Sequence, residues 1–294
     1  MRPECSSGGL NTRRIPTDTQ RNELTPQSDT AVGRVGFLTP WNQSCGLATY
    51  GKFLVTELER QGVELVVFAE SGEVTTSKDE SFVRRCWRRV SPAAPSPDYS
   101  ELRREIKRAK ISTLHINCQA RFFAPVAIRE LLASLRATGV RVVVQLHNLF
   151  TVSEDLSSLV TNADRVFVHT PENRLEAIAN GAAAECVAVV PHGVVLRPQP
   201  SREARSTFRA SLGVEGNEPL LITFGFVQPH KGLEALVEAV THLRQCGIPA
   251  RGVIVGETRA DDPNSAAYMR ALRDLVKWLR FPERRRSCAF VRTR

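Results

Sequence analysis

Residues 225–233 read GFVQPHKGL and follow directly on the apolar run LLITF. A turn that only reverses the chain needs glycine and proline, which Gly225, Pro229 and Gly232 supply. It does not need Lys231 at the mouth of the next helix, where a cation is disfavoured by roughly 0.3–1 kcal/mol. A phosphate at that point would receive a full positive charge, backbone N–H bonds and the positive end of the helix dipole. The spacing suits the holding of an anionic group rather than attack by a nucleophile.

Three further places put glycine or histidine where a strand gives way to a helix or a linker. In PWNQSCGLATY (residues 40–50), Gly46 lets backbone approach a ligand beside the open N–H groups of a helix, and Cys45 precedes it. The stretch lacks both GxGxxG and a Walker lysine, so an ordinary strand-to-helix turn fits it as well. In QLHNLF, His147 ends a hydrophobic strand. There it serves either as a hydrogen-bonding group for a hydroxyl or developing charge, or as a structural histidine. In VVPHGV, His192 and Gly193 lead to a linker and suit a hinge, a ligand contact or both. His115 and His169 lie within or at the ends of strands and read as packing residues.

These loops need parallel strands to position them, and the chain supplies such strands. From residue 34, short β-rich runs alternate with helical stretches: RVGFLTP and VELVVFA flank a helix over residues 46–62, and SFVRRCWRRV suits an edge strand. A polar helix over residues 97–110, STLHINC, a helix over residues 124–139, RVVVQLH and DRVFVHT follow. Thr170–Pro171 then opens a helix that Gly181 closes, ahead of CVAVVPHGV. After the linker VLRPQPSREA the alternation restarts: a helix near residues 205–213, PLLITFGF, a helix over residues 231–247, ARGVIVGE and a helix over residues 265–279. Such alternation predicts an α/β fold of two doubly wound parallel-sheet domains, residues 34–195 and 196–279, the second incomplete with two clear strands.

The flanks read differently. Residues 1–33 are rich in Ser, Thr, Pro, Gln and Asn without an apolar core, which predicts a disordered leader and not a signal peptide. Residues 280–294, RFPERRRSCAFVRTR, lack periodicity and read as a basic disordered or out-of-frame tail. They contribute +5 of the net charge of +9. The mild remainder, without a zinc-finger, RNP or basic-zipper pattern, argues against nucleic acid and suits at most a peripheral contact with an anionic membrane leaflet. No apolar run approaches the roughly 18–20 residues of a membrane span. The seven scattered cysteines, with no CxxC pair, suggest reduced thiols in a cytoplasmic protein and no zinc framework.

Taken together, CGLATYGKFL, LHN, VFVHTPENRLEAIANG, VAVVPHGV and FGFVQPHKGLEALVEAV resemble, in order and spacing, the retaining GT-B glycosyltransferases of the GT4 type across residues 34 to about 257. The resemblance implies two Rossmann-like domains facing across a cleft, with a nucleotide-sugar donor on the C-terminal one and the acceptor, a glycan, lipid or small molecule, mostly on the other. It implies that Lys231, with Gly225 and Gly232, meets the donor diphosphate. The Cys45–Gly46 loop would lie near donor and acceptor, and His147 near the transferred sugar. No metal or other cofactor is expected, because lysine and helix N-termini can neutralise the leaving diphosphate. Two departures stand out. Phe226 occupies the place where the family commonly has arginine. The family's late E-x7-E pair would fall beyond the last residue of this sequence, and Glu257 lies at the wrong strand to replace it. The sequence therefore suggests a transferase impaired by truncation or, alternatively, a catalytically inactive nucleotide-sugar-binding remnant.

Overall fold

The computed structural model describes residues 33–72, 74–91, 96–147, 153–258, 262–278 and 288–291. They fall into two compact units, one reaching to Val195 and the other beginning at Leu196.

The first unit is built on a seven-stranded parallel sheet. Its strands are β1 (Val35–Thr39), β2 (Leu65–Glu70), β3 (Val83–Trp87), β4 (Thr113–Cys118), β5 (Arg141–Leu146), β6 (Arg165–Val168) and β7 (Val187–Val189). They lie in the order β3-β2-β1-β4-β5-β6-β7. Between them run α1 (Gly46–Arg60), α2 (Ser100–Ala109), α3 (Pro125–Ala137), α4 (Glu154–Val160) and α5 (Pro171–Ala179). Strand residues alternate between two cores, as the period of two requires. Leu38, Val66 and Phe68 join the larger cluster with Leu102 and Ile106 of α2 and Leu131 and Leu132 of α3. Phe37, Val67 and Ala69 join a second cluster with Val55 of α1. Burial on both faces explains why these strands read as continuous apolar runs. The strand order reverses between β1 and β4, and in open α/β sheets ligands bind beyond the carboxyl ends of strands at such a switch point.

The second unit carries α6 (Arg202–Ser211), β8 (Leu220–Phe224), α7 (Glu234–Gln245), β9 (Arg251–Val255), α8 (Pro263–Trp278) and β10 (Cys288–Val291). Its three strands are parallel in the order β10-β9-β8. Ile254 packs with Leu233, Met269 and Leu272, and Val237 and Val240 pack beside them. On β8, Ile222 and Phe224 are 47% and 79% exposed.

Two sequence expectations are corrected, and one helix is new. Residues 288–291 form a strand in register with β9, where a basic disordered or out-of-frame tail was expected, so this part is not disordered; a four-residue run is too short to show a period. The rest of the tail and residues 1–32 of the leader lie outside the described residues. The helix expected from residue 231 starts at Glu234, because Pro229–Lys231 form a separate 3-10 turn that Gly232 closes at φ 58°. Helix α4 was not foreseen at all: its seven residues start from Ser153, whose Oγ accepts from the Leu156 N–H.

Candidate active site

The switch point of the first unit is a network of buried polar side chains. Asn117 on β4 is wholly buried, and its Nδ2 donates to Thr39 Oγ1 on β1 (2.9 Å) and to the Leu47 carbonyl of α1 (3.2 Å). A carbonyl can only accept, so the Asn117 amide oxygen faces the other way, toward His147 Nε2 at 2.6 Å. His147 therefore carries its proton on Nε2 and donates it. Helix α1 comes this close because it has glycine at 51: a Cβ there would lie 2.9 Å from Thr39 Oγ1 and 3.1 Å from Asn117 Nδ2.

His147 is also where three more rings meet. Its Nδ1 lies 3.3 Å from His169 Nε2, and His169 Nδ1 lies 2.9 Å from the Val190 carbonyl, to which it must donate. His192 stacks on His169 at 3.6 Å between centroids, and Tyr50 of α1 meets the His147 and His192 rings edge-on at 4.9 and 5.1 Å. Desolvation, with the neighbouring His169 and His192, pushes His147 down to about 3, so it is neutral at physiological pH. Beneath it, His115 stacks on Phe37 and donates to Gln145 Oε1 (3.1 Å), whose Nε2 donates to the Tyr50 hydroxyl (2.8 Å). His115 is a packing residue pushed down to about 4 by burial.

The loop after β1 is fixed from the β3 side. Trp41 Nε1 donates to Glu80 (2.7 Å), Lys52 bridges to Glu80 and to the Asn42 side chain, and Arg85 pairs with Asp79 and reaches the Trp41 carbonyl. The loop delivers Cys45, the N-cap of α1, whose side chain makes no capping bond. The first turn contains no acidic residue, and a Cβ on Gly46 would meet nothing within 4 Å among the described residues. Gln43 Nε2 is buried and finds no partner among the described residues. Among the described residues, the helix entry thus presents N–H donors that the N-cap side chain leaves uncapped, beside open space, an arrangement able to take a phosphate or hydroxyl oxygen.

In the second unit, Gly225 leaves β8 at φ 139°, and its N–H donates to the Val255 carbonyl (3.0 Å). Lys231 ends the 3-10 turn on the surface and makes no ion pair among the described residues. The helix dipole is less available to it than the sequence suggested. Gly232 and Leu233 separate it from α7, and the Leu233 N–H already donates to the Tyr268 hydroxyl of α8 (2.9 Å).

Among the sequence candidates, the structure brings His147 and His192 together and leaves Gly193 on the exposed chain after β7. Cys45 and Gly46 stand at the α1 entry of the same unit, and Gly225, Lys231 and Gly232 belong to the other. His169, read as packing, belongs with His147. Asn117, Thr39 and Tyr50 were not foreseen, because their meeting around His147 depends on strand order, and Gln43 was not foreseen either. Cys45, Cys86 and Cys186 are free thiols, and among the described residues no helix is long and apolar enough to cross a membrane.

The sequence profile of Glycosyltransferase Family 4 matches residues 45–197, just over half of the chain. No curated protein matches. Among solved structures, HepE of Anabaena in complex with UDP-glucose superposes with a TM-score of 0.58 at 17% identity, over 89% of this chain and 69% of HepE. A glycosyltransferase of Rickettsia africae gives 0.55 at 13%, over 89% and 68%. The lipopolysaccharide outer core galactosyltransferase WaaB gives 0.52 at 11%, over the same shares. At these identities the likeness is one of fold, and the strand order and the profile agree with it. The chain belongs to Glycosyltransferase Family 4 and carries the Rossmann-like sheets of the GT-B fold.

Proposed function

We propose that the chain transfers a sugar from a nucleoside-diphosphate sugar to a hydroxyl acceptor with retention of configuration. The observation that carries this reading is the uncapped entry of α1, with a Gln43 Nε2 that finds no partner among the described residues, at the switch point where Thr39, Asn117 and His147 meet. HepE, solved with UDP-glucose and with UDP and glucose, supports a uridine donor. Glycosyl transfer passes through an oxocarbenium-like state as the diphosphate departs, so positioning and charge neutralisation supply most of the catalysis.

In this reading Lys231 neutralises the diphosphate, and Gly225 and Gly232 let backbone approach it. The Cys45–Gly46 entry receives the reacting oxygens, and His147 faces the transferred sugar. His192 and Gly193 act as hinge or ligand contact. The leaving group needs no metal. The acceptor is a glycan, a lipid-linked sugar or a small molecule, and a lipid acceptor would account for the mild basic excess outside the tail. Calorimetry with UDP, GDP and their sugars tests the donor side. Lys231→Ala should weaken binding by about 1.5–3 kcal/mol, the loss of a charged hydrogen bond; an unchanged affinity removes Lys231 from the site.

A second reading, donor binding without turnover, is favoured by Phe226 in place of the family's arginine and by a His147 whose two ring nitrogens are both turned toward neighbouring side chains. Tight binding of the sugar nucleotide with no nucleoside diphosphate released, across glycan, lipid and small-molecule acceptors, would select it.

A further inference from the structure

The hydrogen bonds around His147 and His169 leave one nitrogen of each ring to be accounted for. Asn117 Oδ1 at one end and the Val190 carbonyl at the other can only accept, so His147 is protonated on Nε2 and His169 on Nδ1. The remaining nitrogens, His147 Nδ1 and His169 Nε2, face each other across 3.3 Å. Nitrogens this close need a proton or a cation between them. Two Zn–N bonds of about 2.0–2.1 Å at the tetrahedral angle would place their nitrogens about 3.3 Å apart. A histidine that ligates metal typically donates its other N–H to a backbone carbonyl or side-chain oxygen, and both rings do so here. The third ring, His192, has a nitrogen within 4.8 Å of the other two ligand atoms and is exposed.

We propose that His147, His169 and His192 form a three-histidine site for a divalent transition cation of the zinc class. Three imidazoles and no carboxylate suit zinc, copper or nickel rather than magnesium or calcium. His192 must turn from its stack on His169 to bring its nitrogen into line, and its exposed loop leaves it room. The fourth position then opens to solvent. The site ties together the carboxyl ends of β5, β6 and β7, and it stands on these contacts whether or not the chain transfers sugar.

The test is a Zn2+ titration of the full chain against a chromogenic chelator, with the Co2+ absorption spectrum as a second readout. It is run in Cys246→Ser, because Cys246 and His242 pair on the surface of α7 (3.8 Å) and would compete for a soft cation. One equivalent is expected to bind. His192→Ala, on an exposed loop, and His169→Gln should each weaken binding by at least the ~10–100-fold that loss of a mere outer-shell partner costs. No stoichiometric binding would overturn the proposal and leave a shared proton between the rings. Affinity retained in His192→Ala would overturn the three-ligand assignment.

Discussion

Replacing Asn117 by alanine tests the switch-point network directly. Three hydrogen bonds disappear, but they are not equivalent. Thr39 Oγ1 keeps a bond to the Pro40 carbonyl (3.2 Å), and the Leu47 carbonyl remains a helix acceptor. The group left stranded is the His147 Nε2–H, whose bond to Asn117 is the shortest of the three at 2.6 Å. A buried donor without a partner costs about 1–3 kcal/mol, so a loss of about 2 kcal/mol is expected. For a unit of this size that lowers Tm by about 4–8 °C. The same substitution in a His147→Leu background strands nothing and should cost about 1–2 kcal/mol less. Urea unfolding of the four members of this cycle gives the coupling. If Asn117→Ala costs the same with and without His147, the two side chains do not interact and the assigned tautomer falls with them.

Gly51→Ala should destabilise despite the gain of about 1 kcal/mol in helix propensity, because Thr39 and Asn117 are fully buried and overpacking costs roughly 1–3 kcal/mol; a raised Tm would refute this. His115, held at about 4 against 6.5 when unfolded, binds its proton more readily in the unfolded chain. Stability is therefore whole above pH 6.5 and falls as pH drops toward 4. By pH 5 this one group should cost about 2 kcal/mol, and the corresponding share of the pH 7 to 5 loss should vanish in His115→Leu. Burial pushes the Cys86 thiol up to about 12, whereas Cys246 is exposed. A thiol reagent should label Cys246 in the folded protein and reach Cys86 only on unfolding, as peptide mapping would show.

How much of this was legible in the sequence depends on the range of the contacts involved. Strands such as RVVVQL and helices such as α1 announce themselves by local period, and so do the loops that follow them. The polar helix α2 was recognised, although its Leu102 and Ile106 stripe reaches the core. Helix α4 was missed because seven residues with three buried apolar side chains, Leu156, Leu159 and Val160, give too little period to read. At Lys231 the periodic stretch beginning at residue 234 was extended backwards over a turn that only Gly232 marks. The site itself was half legible. His147 could be placed at a strand end, but its partners Asn117 and His169 come from neighbouring strands 30 and 22 residues away, and strand order is not written locally.

Gly256 lies so close to the backbone of Gly225 that a Cβ on it would sit 1.8 Å from the Gly225 carbonyl oxygen. The obstacle is main chain, so no rotamer change could relieve it. Bonds from Gly225 N to the Val255 carbonyl and from Val227 N to the Glu257 carbonyl, both 3.0 Å, lock the two segments on either side of that contact. For directed evolution of the Lys231 loop, this divides the positions into two kinds. The exposed His230 is open to diversification, whereas a library that randomises residue 256 would spend nearly all its members on chains whose β8 and β9 ends have been forced apart.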